Sequence, residues 1–397
     1  MLINYPMKVL FVHNRYRQYA GEDVALELES ALLERNGHLV KTLLFDNREI
    51  GGLFSRLSIS LSAIYSFSAA RKISRVIKEF KPDIIHVHNL FFKVSPSVFH
   101  TARKYGIPVI HTLHNYRLIC CNALLLRDNK ICELCIHKKF PLYGIRYKCY
   151  RNSGLQSALV TAITGTHKLL GTWKRKVSTF VVSNEFSRSR LLDSSLGISK
   201  DRIIAKSNFV ADPGEGKLSR EDFFLFAGRI AKEKGVHVLL DAFAGLPGRK
   251  LVIIGEGPEK ASLEAQFKSC NNIHFTGQLD KTQVLENMKR CRAFICPSVW
   301  YEVTPFTNLE ALATGTPVIA SRLGSMIGTL KNGYDGLHFT AGDAADLREK
   351  VELFVQQTAT SNEYYKNARQ SYLEKYHPDV HYKMIIKIYE DAIASGQ

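Results

Sequence analysis

Several features are missing from this chain of 397 residues. No run approaches the ~18 apolar residues that a membrane-spanning helix needs. The first apolar run, Val9 to Val12, is too short for the core of a secretory leader and reads as a strand. Met1 to Pro6 add nothing to that strand, so Met7 could be the working start. Acidic residues are scarce beside basic ones, 37 against 54, for a formal charge of +17. That balance favours an anionic partner: nucleotide phosphate, anionic lipid or nucleic acid. No nucleic-acid module is recognisable and the aromatics sit mainly in apolar runs, so no nucleic-acid partner is expected. No G-x-G-x-x-G motif marks a dinucleotide site. Without a leader, the eight cysteines are expected to be free or metal-bound rather than paired as disulfides.

The hydrophobic content of 45% supplies a full core, and the length suits two ordinary α/β domains. In the first half, a strand from Met7 to Val12 and a turn holding His13, Asn14 and Gly21 lead into a helix from about Glu22 to Arg35. Its apolar face is read as Val24, Leu28, Ala31 and Leu32. A second strand covers His38 to Phe45. Leu53 to Phe80 is a long helical stretch with basic Arg56, Arg71, Lys72, Arg75 and Lys78. It could lie on an anionic membrane or pack on its own sheet. Two later strands end in polar residues, one at His86-Val87-His88 and the other before Leu113-His114-Asn115. Strand carboxyl ends are where open α/β sheets place ligands. Ser153 to Lys176 reads as a single helix, and a boundary falls near Val210, where Asp, Pro and two Gly follow.

The second half restarts the same alternation. Strands are expected at Phe223–Ala227, Leu251–Ile254, Ile273–Phe275, Ala293–Cys296, Val318–Ala320 and Leu337–Phe339. Apolar strands alternating with helices argue for a parallel sheet covered on both faces. Gly228, Arg229, Lys232, Lys234 and Gly235 follow the first of these strands, in outline a phosphate cradle. Gly255-Glu256-Gly257-Pro258 closes the second, where glycine would allow close backbone approach, and Gly277-Gln278 closes the third.

The most informative stretch is Arg292 to Ser321, RAFICPSVWYEVTPFTNLEALATGTPVIAS. A strand, a loop, a helix stopped at Gly315 and Pro317, and a second strand follow one another. Glu302 lies in the loop and Glu310 in the first turns of the helix. A helix start offers N–H groups and a positive dipole end to a diphosphate, and flanking carboxylates accept hydroxyls. Diphosphate plus hydroxyls describes a nucleotide sugar.

This pattern resembles the signature of family 4 of the retaining glycosyltransferases, which have the GT-B fold. The resemblance implies two Rossmann-like, doubly wound parallel-sheet domains facing a central cleft. They would span 1–209, with a cysteine-bearing insert at about 118–152, and 210–377, with a helix at 378–397 returning to the first domain. It implies that Arg229 and Lys234 grip the donor diphosphate, Glu302 meets the donor sugar hydroxyls and Glu310 the ribose. It further implies that His114 contacts the donor sugar and that Phe306 and Thr307 offer N–H groups to the diphosphate. Gly21, Gly228, Gly255, Gly257 and Gln278 would border the donor. Pro305 and Ala20 stand where many members have Gly. No Asp-x-Asp motif is present, which suits a metal-independent GT-B enzyme, and no cofactor is expected for catalysis.

Cys120, Cys132, Cys135 and Cys149, with C-x2-C at their centre, could hold a structural zinc; a cysteine-bearing insert here looks like one bacterial subgroup of the family. The expected activity is a hexosyltransferase moving sugar from a UDP or GDP sugar to a glycan or lipid-linked acceptor. Cell-surface polysaccharide or lipopolysaccharide biosynthesis is the expected setting. The expected location is cytoplasmic, with a peripheral contact to an anionic membrane as an open addition. The alternatives are a GT-B nucleotide-sugar epimerase and a non-catalytic nucleotide-sugar-binding partner.

Overall fold

A computed structural model of the chain describes residues 6–16, 20–46 and 63–396. Two compact units emerge. The first comprises Met1–Leu125, Cys132–Lys206 and His381–Gln397; the second comprises Leu126–Ile131 and Ser207–Val380.

Unit 1 is built on strands β1 (Lys8–Arg15), β2 (Leu39–Asp46), β3 (Ile84–Val87), β4 (Val109–Leu113), β7 (Thr179–Val182) and β8 (Ile203–Ala205). A short hairpin, β5 (Leu126–Arg127) and β6 (Lys130–Ile131), is counted with unit 2. The sheet order is β2-β1-β3-β4-β7-β8, all parallel. Seven helices belong to its described part: α1 (Gly21–Arg35), α2 (Phe67–Phe80), α3 (Ser97–Lys104), α4 (Leu142–Arg146), α5 (Gly154–Leu169), α6 (Thr172–Lys176) and α7 (Glu185–Leu192). The core joins Met7, Val9 and Phe11 of β1 and its approach to Leu26 and Leu33 of α1 and to Ile385, Ile388 and Tyr389 near the end of the chain.

Three expectations change here. The buried face of α1 is not the apolar stripe at Val24 and Leu28. It carries Glu22, Asp23, Ala25, Leu26, Glu29, Leu32 and Leu33. Three acids turn inward because each finds partners there: Glu22 with Asn89, Asp23 with His13 and Glu29 with Lys206. The single helix over Ser153–Lys176 is broken. Gly171 adopts φ 62, and a Cβ there would meet the Arg175 Nε at 2.7 Å; the chain ends α5 and restarts as α6. The long stretch from Leu53 is helical over Phe67–Phe80, and residues 53–62 lie outside the described ones. Its buried side is Ala69, Ile73, Val76 and Ile77. The apolar face therefore packs inside unit 1, and the cations Arg71, Lys72, Arg75 and Lys78 face outward together with Phe67, Ser68 and Glu79.

Unit 2 is the more regular. Its strands are β9 (Phe223–Ala227), β10 (Lys250–Ile254), β11 (Ile273–Gly277), β12 (Ala293–Cys296), β13 (Val318–Ser321) and β14 (Gly336–Phe339). They pair in parallel in the order β11-β10-β9-β12-β13-β14. Its helices are α8 (Val236–Ala244), α9 (Lys260–Gln266), α10 (Lys281–Arg290), α11 (Phe306–Ala313), α12 (Met326–Thr329), α13 (Ala344–Thr358) and α14 (Glu363–Lys375); α15 (Pro378–Ala394) ends in unit 1. Alternate residues of β9 feed opposite faces. Phe224 and Phe226 pack with α8 and α13, while Phe223 and Leu225 pack with α11 and α14. The strand order reverses between β9 and β12. At such a switch point the loops beyond the carboxyl ends diverge and leave a ligand crevice.

Candidate functional site

The loops after β9, β10, β11 and β12, together with helix α11, carry the residues of unit 2 singled out in the sequence. Lys234 follows β9 on a turn closed by Gly235 at φ 68. Its Nζ donates to Glu302 Oε1 at 2.6 Å and lies 5.8 Å from the centre of the Trp300 ring. Glu302 is buried, at 4% exposure, and the same oxygen accepts from Ser298 Oγ at 2.7 Å. Ser325 Oγ bonds the Glu302 carbonyl at 2.6 Å and fixes the loop from below. Burial works against the Lys234 ammonium, but the Glu302 carboxylate outweighs it and raises the lysine pKa. The lysine is therefore a permanent cation that still reaches solvent through the site.

Glu310 sits in the middle of α11 and is nearly buried. Burial pushes its pKa up, against an ion pair with Lys281 at the start of α10. Phe306 and Thr307 open α11 behind Pro305 and are half-buried. Arg229 and Gln278 are exposed at the exits of β9 and β11. Gly255, at φ 144, serves the crossing of two loops: a Cβ there would lie 1.9 Å from the Gly228 carbonyl oxygen. Gly257 is constrained similarly, 2.2 Å from the Ile230 oxygen. These glycines bring the β9 and β10 exits together, with Gly228 N–H donating to the Ile254 carbonyl and Ile230 N–H to that of Glu256. A cavity of about 640 Å³ in unit 2, lined by Lys232, His237, Asp241 and Glu259, includes Lys232 of the expected phosphate cradle but not Arg229, Lys234, Glu302 or Glu310.

In unit 1, His114 lies just beyond β4 and is half-buried. Its Nε2 is 2.9 Å from His88 Nδ1, and the two rings stack at 5.0 Å. Burial, followed by the neighbouring His88 and His13, holds the His114 pKa well below the usual imidazole range. A small cavity of about 20 Å³ is lined by His88, His114 and Arg117. His86 is fully buried between the Tyr389 hydroxyl at 2.7 Å and Thr112 Oγ1 at 2.6 Å. His111 is buried against Phe99 and Trp173. Gly21 is the exposed first residue of α1.

Several residues with a part in these surroundings carried no signal in the sequence. Lys281, Ser298 and Ser325 match no motif position, although Ser298 lies within the Arg292–Ser321 stretch, and their contacts reveal them. Asn308, at 0% exposure in α11, has neither side-chain oxygen nor nitrogen hydrogen-bonded. Glu22 has a pKa raised to about 8, first by burial and then by Asp23, against Arg117 and a hydrogen bond donated by Asn89 Nδ2. Cys120 and Cys135 are buried, and Cys132 and Cys149 half-buried. Burial pushes the Cys135 thiol up to about 12, with Cys120, Cys132 and Cys149 adding to the effect. Among the described residues, the group whose potential ligand atoms converge within 4.8 Å is Glu29, His86 and His88, not the cysteines.

Comparison with known proteins follows the same division. Residues 211–371 match the model "Glycosyl transferases group 1", and residues 27–164 match "Glycosyltransferase Family 4". A glycogen synthase of Mycobacterium tuberculosis is 34% identical over 37% of this chain and 37% of its own length. A phosphatidyl-myo-inositol mannosyltransferase of Mycobacterium leprae is 27% identical over 50% and 53%. The alpha-monoglucosyldiacylglycerol synthase of Streptococcus pneumoniae is 24% identical over 78% and 70%. The chain thus spans between about a third and a half of the first two of these relatives. Among solved structures, Anabaena HepE in complex with UDP superposes with TM-score 0.69 at 15% identity, covering 97% of this chain and 100% of that one. The galactosyltransferase WaaB of the lipopolysaccharide outer core gives 0.67 at 18%, covering 98% and 100%. The fold is GT-B.

Proposed function

Because this chain belongs to family 4 of the glycosyltransferases, we propose that it transfers a sugar from a UDP or GDP sugar to a glycan or lipid-linked acceptor, with retention of anomeric configuration. The observation that carries the reading is the grouping beyond the β9–β12 switch point. There a buried carboxylate, Glu302, holds Lys234 at 2.6 Å, and a second buried carboxylate, Glu310, lies on the next helix.

When the anomeric bond breaks, the leaving nucleotide diphosphate gains negative charge. Lys234 is already charged and oriented, so it stabilises that charge without reorganising. Arg229 supplies a second, planar cation, and the opening N–H groups of α11 supply a dipole end. Glu310 accepts from ribose hydroxyls and Glu302 from sugar hydroxyls, while His114 meets the donor sugar. Support for the nucleotide comes from the structural neighbour crystallised with UDP. Relatives that act on phosphatidyl-inositol and on diacylglycerol lipids, by their names, support a lipid-linked acceptor.

Among the described residues no helix is long and apolar enough to cross a membrane. A peripheral contact is part of the proposal. It rests on the outward cations of α2 and on exposed Leu142, Leu155, Leu169 and Leu170 in the helices of unit 1. A structural zinc on Cys120, Cys132, Cys135 and Cys149 also belongs to the proposal. By ligand type the thiol set suits a closed tetrahedral site, although the four sulfurs do not converge within 4.8 Å in this structure; metal analysis should find about one zinc per chain.

The test is a thermal-shift screen with UDP, GDP, ADP, CMP and their sugars on the wild type and Glu310→Ala. A ligand at ~100 times its dissociation constant adds about 2.7 kcal/mol. One base preferred by the wild type and ignored by the variant is the expected result. Equal shifts in both proteins would remove the ribose assignment.

A further inference from the structure

Glu29 is a glutamate of α1 that reaches under the carboxyl ends of β3 and β4, entirely within unit 1. It is 3% exposed. Its Oε1 accepts from Lys206 Nζ at 3.0 Å and lies 2.9 Å from His381 Nε2. Its Oε2 lies 3.2 Å from His88 Nε2, off the axis of an ideal hydrogen bond but well within ion-pair range. Together with His86 it forms the one converging group of potential metal ligands among the described residues. A divalent ion does not suit the place. The ammonium of Lys206 already sits on the carboxylate, and both ring nitrogens of His86 are engaged by the hydroxyls of Tyr389 and Thr112.

We propose that Glu29 and His88 are positioning residues that fix the tautomer and orientation of His114. This rests on the reading of His114 as the donor-sugar contact. The chain of bonds is Glu29 Oε2, His88 Nε2, His88 Nδ1 and His114 Nε2, with end distances of 3.2 and 2.9 Å. A carboxylate only accepts, so the His88 proton must sit on Nε2; a lone pair there would face a negative oxygen. His88 Nδ1 is then an acceptor and takes the Nε2–H of His114. His114 is left with a lone pair on Nδ1, so it offers an acceptor to a sugar hydroxyl. It cannot act as a proton donor from that atom. Glu29 stays ionised although fully buried: burial alone would raise its pKa, but Lys206, His86 and the imidazole hydrogen bonds bring it well below the usual carboxylate value. Burial keeps His88 neutral. A fixed carboxylate behind an imidazole sets which nitrogen carries the proton, as outer partners do for metal-bound histidines.

The experiment is nitrogen-detected NMR of the histidine rings in the full-length chain near neutral pH, in the wild type, Glu29→Gln and His88→Phe. It needs no ligand, so a wrong donor reading leaves it informative. That reading is judged separately, by whether His114→Ala changes the affinity for UDP-glucose relative to UDP. In the wild type, His114 should be protonated on Nε2 and bare on Nδ1. Glu29→Gln removes the counter-ion of Lys206 and can unfold unit 1. His88→Phe keeps the ring volume and leaves Glu29 with Lys206. In His88→Phe, and in Glu29→Gln if folded, the His114 ring should turn into a mixture of tautomers. Finding His114 protonated on Nδ1 in the wild type would overturn the proposal. So would an unchanged Nε2 tautomer in His88→Phe. A metal bound at one per chain and lost in His88→Phe would also overturn it, since metal would then take the place of these protons.

Discussion

The two units share one plan, six parallel strands between helices, yet they are filled differently. Unit 2 has an apolar interior on both sheet faces, and its polar chemistry lies in loops beyond the strand ends and on α11, which follows one of them. Unit 1 carries polar and charged groups inside. Glu22, Asp23, Glu29, Lys206, His13, His86, His88, His111 and His381 are all buried. A charge in a low-dielectric interior is tolerated only when paired, and here the pairs join α1 to the residues at and just beyond the ends of β3 and β8 and to α15. Unit 2 is thus a stable platform with chemistry placed on top, whereas in unit 1 the chemistry reaches into the packing. Damage to function and damage to stability should separate in unit 2 and coincide in unit 1.

The largest effect should come from Lys234→Ala. Removing a preorganised group that stabilises developing charge costs about 10²–10³-fold in turnover. Far-UV circular dichroism should change little, but unit 2 should melt lower, because the variant leaves the buried Glu302 carboxylate without its cation. A folded variant with near-normal turnover would break the division at its strongest point. Glu310→Gln comes next. Losing a hydrogen bond to a charged group costs about 1.5–3 kcal/mol, about 10–100-fold in donor affinity by calorimetry. The sign for stability is opposite. Burial raises the Glu310 pKa, so the ionised form is disfavoured by folding, and its contribution is most favourable below the unfolded value and declines as pH rises. At neutral pH the neutral amide should melt higher than the wild type while binding donor worse.

Acid should then separate the units. His38, His86, His88, His100, His111, His114 and His167 of unit 1 all have lowered pKa values, each with burial as the main cause. In unit 2 only His338 among the described residues has a resolved shift of this kind. A depressed imidazole contributes stability that is present above the unfolded value near 6.5 and is lost as pH falls toward the folded value. That value is about 4 for His100 and about 3 for His111. Each such group adds up to ~1.4 kcal/mol per pH unit. Glu29 has a later window, well below 4.5. Unit 1 should therefore unfold first as pH drops below 6.5. The chain has two tryptophans, Trp173 buried in unit 1 and Trp300 in unit 2. Fluorescence of the two single Trp→Phe variants would show which unit opens first; simultaneous transitions would contradict the contrast.

The same contrast explains what could be read from the sequence. Unit 2 was legible because its strands are short apolar runs, such as Phe223–Ala227 and Ala293–Cys296, which match the observed bounds. Glu302 and Glu310 stood out because their spacing is local. Unit 1 was harder because its organising contacts are remote. Glu29 meets a lysine 177 residues away and a histidine 352 residues away. No window of sequence contains that pair, and a glutamate on a helix ordinarily faces water. Hence the apolar stripe of α1 was assigned to the wrong side. Gly171 could have signalled the break between α5 and α6, but a lone glycine within a helical pattern is often tolerated.

The smallest expected effect concerns Lys281, which lies at the border between the two kinds of design. It belongs to unit 2 and is 59% exposed, yet it pairs with a buried carboxylate. As an exposed lysine it should contribute about 0–1 kcal/mol to stability, so Lys281→Ala should barely move the melting temperature. Its electrostatic effect on Glu310 should still be measurable. Lys281 opposes the upward push of burial on that carboxyl, so its removal raises the Glu310 pKa further. If ribose is held by the ionised form, donor binding in the variant should fail at a higher pH than in the wild type. Coincident pH profiles would mean that Glu310 does not need its charge to hold the donor. The carboxylate would then be a packed polar group of the unit 1 kind, placed in unit 2.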